Sequence, residues 1–103
     1  MGFFSFLFGT GSANTSLSQK EHYLSKQEIQ QLVSRVKVRT LDSGEEVLVE
    51  DVIDRRRRGD GKISLYQIDE ALRTLQNQNK ISKFDRQGLM RVFGEYFGKK
   101  FGN

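Results

Sequence analysis

Four times in 103 residues a serine stands three positions ahead of an acid or amide and just before an apolar run: Ser25 with Glu28, Ser43 with Glu46, Ser64 with Gln67, and Ser82 with Asp85. A serine oxygen can accept from the unpaired amides of a helix's first turn, and the acid or amide three residues on can reach back to the serine's own N–H. Each pair therefore marks a helix start. Two starts also carry a hydrophobic staple across the first turn, Leu24 with Ile29 and Ile63 with Ile68. Four starts in so short a chain predict one small domain of short helices.

The apolar spacing downstream agrees. Ile29, Leu32, Val33 and Val36 lie on one face of a helix over about 25–36, and Leu48, Val49, Val52 and Ile53 repeat at four residues before Gly59. Leu65, Ile68, Leu72 and Leu75, with Ala71 beside them, form a third stripe that ends at Asn77, Gln78 and Asn79. Leu89, Val92, Phe93, Tyr96 and Phe97 form a fourth, ending near Gly98, and no proline interrupts any of these spans. The expected fold is all-α, a small four-helix bundle. A β-hairpin over residues 36–50 competes, because 36–40 and 46–50 alternate around Asp42, Ser43 and Gly44. Charge favours the helix. Acidic Asp42, Glu45, Glu46, Glu50 and Asp51 crowd its start and four arginines its end, with Asp51–Arg55 and Asp54–Arg58 as i, i+4 pairs.

Four of the eight phenylalanines fall outside this pattern. Phe3, Phe4, Phe6 and Phe8, with Leu7, form an apolar arm followed by small polar residues over 9–16 of linker composition. The division expected is an arm and flexible linker over 1–19 and a helical domain over 20–103. Burying one Phe is worth about 1.5–3 kcal/mol, so the arm should find a receiver: a groove of its own domain, a second protomer, a protein partner, or a membrane interface. Neither a secretory signal nor a myristoylation pattern fits, since no basic residue precedes the run and Phe6 stands where Ser or Thr is required.

Much chemistry is excluded. With no Cys and a single histidine, His22, there is no thiolate nucleophile, disulfide framework, or Cys- or two-His metal site. No nucleotide or nucleophile-elbow motif occurs, so neither an enzyme, a cofactor nor a small-molecule substrate is expected. No run approaches the roughly 18 apolar residues that span a bilayer. A net charge of +4 mildly favours anionic partners.

The run Arg55, Arg56, Arg57 and Arg58 reads either as an anion-binding patch for nucleic acid or anionic lipid, or as a surface whose cations are paired locally. Towards the C-terminus Lys80, Lys83, Arg86, Arg91, Lys99 and Lys100 face only Asp85 and Glu95, with Phe84, Phe93, Tyr96, Phe97 and Phe101 interleaved. Phe93, Tyr96 and Phe97 read as core, whereas Phe101 has no evident role. Lys99 and Lys100 join the four arginines as candidate anion contacts.

Between the second and third helices, Gly59-Asp60-Gly61-Lys62-Ile63-Ser64-Leu65-Tyr66-Gln67 resembles the second half of the calcium loop of the EF-hand and dockerin families. The resemblance covers little more than one loop. It places Asp60, Gly61, Ser64 and Gln67 at the fifth, sixth, ninth and twelfth loop positions. The first and third positions, which should supply oxygens, fall on Arg56 and Arg58, and Gln67 cannot supply a bidentate carboxylate. The resemblance therefore implies a degenerate helix-loop-helix without calcium. A second echo, Lys62-Ile63-Ser64 and Lys80-Ile81-Ser82, leads each time into a helix.

These features together describe a cytoplasmic, non-enzymatic interaction or regulatory module. Its expected partner is a protein or a second copy of itself, or a membrane met peripherally. The alternative is a nucleic-acid-binding helical protein using the four arginines and the basic C-terminal helix.

Overall fold

A computed structural model describes residues 17–35 and 41–102 as a four-helix bundle with a two-stranded clasp. The order is β1 (His22–Tyr23), α1 (Lys26–Arg35), α2 (Ser43–Arg56), β2 (Lys62–Ile63), α3 (Leu65–Asn77) and α4 (Lys83–Phe101). The helices form a ring in which α1 packs on α2, α2 on α3, α3 on α4, and α4 back on α1. The competing hairpin is ruled out on its second arm, because 46–50 lie within α2. Its first arm, the Phe-rich arm, the residues over 9–16 and Val36 fall outside the described residues.

Three helices start where their serines predict. Ser25 Oγ accepts from Glu28 N–H at 3.0 Å while Glu28 Oε1 accepts from Ser25 N–H at 2.9 Å. The same reciprocal pair joins Ser64 to Gln67 and Ser82 to Asp85. The fourth is displaced by one residue: Asp42, not Ser43, caps α2, with Glu45 as its reciprocal partner. Both Asp42 and Ser43 have a glutamate three positions on, so burial of the preceding residue decides. With Asp42 as cap, Leu41 precedes the helix and enters the core, 7% exposed. A carboxylate at this site is also attracted by the helix dipole.

The core gathers Ile29, Leu32 and Val33 of α1, Val49 and Ile53 of α2, Leu65, Ile68, Leu72 and Leu75 of α3, and Leu89, Met90, Phe93 and Phe97 of α4. Both staple pairs, Leu24–Ile29 and Ile63–Ile68, are fully buried. The α2 stripe is narrower than expected, since Leu48 turns outward and Val52 is only half-buried. Leu17, expected in the linker, is buried, and Ser18 C=O accepts from Tyr66 N–H at 3.1 Å, so the fold reaches back beyond residue 20.

β1 and β2 pair antiparallel, His22 opposite Ile63 and Tyr23 opposite Lys62, and Leu24 N–H continues the ladder to Gly61 C=O at 3.0 Å. The clasp fixes the starts of α1 and α3 side by side. At its turn Gly61 has φ +84°, a conformation that favours glycine, and a Cβ there would lie 2.7 Å from Cε1 of the exposed Tyr23 ring, which would have to shift. α3 ends as expected, with Asn79 in the left-handed region and Lys80 N–H returning to Leu75 C=O. α4 runs past Gly98 to Phe101, and Gly102, at φ +76°, caps it.

Candidate functional site

The arginine run straddles the end of α2. Arg55 and Arg56 complete the helix, Arg57 caps it, and Arg58 enters the turn that leads to β2. Each guanidinium meets a carboxylate. Arg55 pairs with Asp51 at 2.7 Å, Arg56 with Glu70 of α3 at 2.5 Å, and Arg57 with Asp54. Arg57 also donates to Leu24 C=O at 2.7 Å, although its buried Nε has no partner. Arg58 reaches Glu21 at 2.7 Å, with Asp60 at 3.9 Å. The Asp51–Arg55 pair is as the spacing predicts, but Asp54 takes Arg57 instead of Arg58. The helix stops at Arg56, so the i, i+4 geometry is lost two residues before Arg58.

The loop's polar groups are likewise turned onto protein. Asp60 Oδ1 accepts from Lys62 N–H at 3.1 Å. Gln67 Oε1 accepts from Ser64 N–H, and its amide nitrogen donates to Glu21 Oε2 at 3.1 Å. Glu21 thus ties Arg58 to Gln67. Among the described residues no group of three or more His, Cys, Asp or Glu could hold a metal ion.

Two further ionic clusters join helices. Asp69, 4% exposed on α3, accepts from Arg73 and, across the interface, from Arg86 of α4, each at 2.7 Å, and Arg86 Nε also donates to Gln76. At the other end, Glu28 Oε2 accepts from the Tyr96 hydroxyl and from Lys100 Nζ at 2.5 Å, tying α1 to α4. Lys100, although itself half-exposed, is therefore committed to Glu28, whereas Lys99 is exposed and makes no ion pair among the described residues. Phe101, without a role in the sequence pattern, stacks on His22 with centroids 4.0 Å apart and meets the edge of Phe97 at 5.3 Å. Burial, then nearby Lys20 and Lys62, push the His22 imidazole below its ordinary pKa.

Burial alone would raise the Glu28 pKa, but donors from Lys100, Ser25 and Tyr96 outweigh it and hold the carboxyl at about 2, against 4.5 when unperturbed. The stabilisation is therefore complete above about pH 4.5 and is lost as pH falls toward 2. Glu28→Gln keeps an acceptor for the Ser25 cap, as Gln67 does for Ser64, and replaces the charged oxygen that accepts from Tyr96 and Lys100 with a neutral amide nitrogen. It is expected to flatten this part of the stability–pH curve in acid unfolding. At neutral pH it should cost about 1 kcal/mol, because Lys100 is half-exposed.

The remaining surface is marked by exposed apolar side chains. Phe84 is 74% exposed on α4, Val47 61% and Leu48 39% on α2, and Tyr23 54% on β1. A shallow groove of about 400 Å³ between α2 and α3 is lined by Val52, Ala71 and Thr74 and edged by Arg55, Arg56 and Glu70. Such surfaces can bind. The sequence pointed to the arginines but missed their partners Glu21 and Glu70 and the Asp69 clamp, which come from other elements. No helix among the described residues is long and apolar enough to cross a membrane. No family model, curated protein or solved structure matches this chain.

Proposed function

We propose that this chain is a small, non-enzymatic interaction or regulatory module, acting in the cytoplasm or peripherally at a membrane. It meets a protein or membrane partner through the arm of Phe3, Phe4, Phe6, Leu7 and Phe8 and through its basic outer surface. The observation that carries this reading is Phe84, three-quarters exposed on the face of α4 that also bears Arg91 and Lys99. An aromatic side chain beside cations that make no ion pair among the described residues suits a contact surface better than a solvated one. The nucleic-acid alternative is weakened because all four residues of the arginine run already have carboxylate partners.

The test is co-sedimentation of the full chain with vesicles of anionic or neutral lipid at two salt concentrations, beside a variant with Phe3, Phe4, Phe6 and Phe8 replaced by serine. The expected result is pelleting that needs the phenylalanines and persists at the higher salt, since apolar burial is insensitive to screening. Indistinguishable pelleting of the two chains would remove the arm from the reading. Absence of pelleting would remove the membrane and leave a protein partner.

A further inference from the structure

The exposed apolar side chains of α2 and α4 sit in charge environments of opposite sign. Val47 and Leu48 project from the first half of α2, where Glu46, Glu50 and Asp51 surround them within one turn. Glu46 and Glu50 are four residues apart, a like-charge spacing that is unfavourable on a helix. Burial first, and then the Glu46 charge, push the Glu50 carboxyl above its ordinary range, with Lys26 opposing only in part. Asp51 is already paired with Arg55, so among the described residues the acidic excess of this face is carried by Glu46 and Glu50.

The other face has the reverse composition. Phe84 stands in the first turn of α4, with Lys83 beside it, Lys80 just before the helix and Arg91 two turns on. None of these three cations makes an ion pair among the described residues. In the ring of helices α2 and α4 are the diagonal pair, each packing on α1 and α3, so their outer faces look in different directions. One chain cannot bring the two faces together. Two chains can.

We infer that the outer face of α2 docks on the outer face of α4 of a second copy of this chain, with Phe84 against Val47 and Leu48, and Lys80, Lys83 and Arg91 opposite Glu46 and Glu50. This rests on the interaction-module reading and names one partner for it. The contact joins two different patches, so it is heterologous and leaves one free patch at each end of every open assembly. Successive copies then add head to tail. Three apolar side chains and their charged rim amount to less than a standard permanent interface, so the association is concentration-dependent and weakens as salt screens the rim.

Sedimentation equilibrium of the full chain in the absence of lipid tests this directly, with two variants at exposed positions. Phe84→Asp spoils the α4 face and leaves that of α2; Val47→Lys does the opposite. The wild-type chain is expected to rise in average mass with concentration, less so at high salt, while each variant alone associates at least about tenfold more weakly. An equimolar mixture of the two still has one intact α2 face and one intact α4 face, and should form dimers that grow no further. A wild-type chain that stays monomeric throughout would overturn the inference, as would a mixture that stays monomeric while the wild type associates. Association of either variant at wild-type strength would place the contact elsewhere, with the arm as the first suspect. If Phe84→Asp loses vesicle binding while the wild-type chain is monomeric, the α4 face is a lipid surface. Self-docking then falls and the broader reading stands.

Discussion

Asp69→Ala is expected to cost the fold about 3–5 kcal/mol, a large share of the roughly 5–15 kcal/mol that holds a small domain together. The carboxylate is almost fully buried and holds two guanidinium groups at once. Without it Arg73, half-exposed, can return to water, but Arg86, only 12% exposed, keeps its charge in the α3–α4 interface with Gln76 as its remaining partner. The asymmetry makes the argument checkable. Arg73→Ala, which leaves Asp69 paired with Arg86, should cost less than about 1 kcal/mol. Urea unfolding would separate the two as midpoint shifts at unchanged slope. An Asp69→Ala chain within experimental error of Arg73→Ala would show that the clamp contributes little.

Phe97→Ala is expected to cost a comparable amount, about 3–5 kcal/mol, through lost transfer energy and the cavity left behind. Phe97 is 1% exposed and presents its ring to both His22 and Phe101. Its removal therefore undermines β1 and the last turn of α4 together. Phe84→Ala on the same helix should change stability by no more than about 0.5 kcal/mol, because that ring stands in solvent. Thermal unfolding of the two variants side by side would show whether burial, and not aromatic character, sets the cost.

Local rules carried most of the helices. The capping pairs at Ser25, Ser64 and Ser82 each use residues three apart, and the α3 stripe is fully buried as its spacing predicts. The rules faltered where two solutions were equally good locally. Asp42 and Ser43 both qualify as caps, and only the burial of Leu41 decides between them. Likewise Leu48, Val49, Val52 and Ile53 define a stripe twice as wide as the strip α2 buries, and packing against α1 and α3 selects Val49 and Ile53.

The candidate site was legible only in its cations. Arg58 and Glu21 are 37 residues apart and Arg86 and Asp69 are 17 apart, so no periodicity connects them before the chain is folded. A two-residue strand is too short to show alternation, and β1 left no pattern of its own. Its trace lay in a different echo from Lys62-Ile63-Ser64 and Lys80-Ile81-Ser82. Leu24-Ser25 with Glu28 and Ile63-Ser64 with Gln67 are the same construction, an apolar residue and a capping serine at the exit of a strand, and their strands pair. The Gly61 turn, by contrast, was visible from its glycine and aspartate alone.

The stack of Phe101 on His22 joins the last turn of the last helix to the first strand, 79 positions earlier in the numbering. Ends of a helical chain ordinarily fray independently, each amide exchanging at a rate set by its own terminus. Here the release of α4's final turn uncovers one face of His22, and the release of β1 removes the surface on which that turn rests. β1 and the last turn of α4 are therefore expected to open as one unit. Hydrogen exchange at the Leu24 amide, bonded to Gly61, and at the Phe101 amide should follow a common opening event.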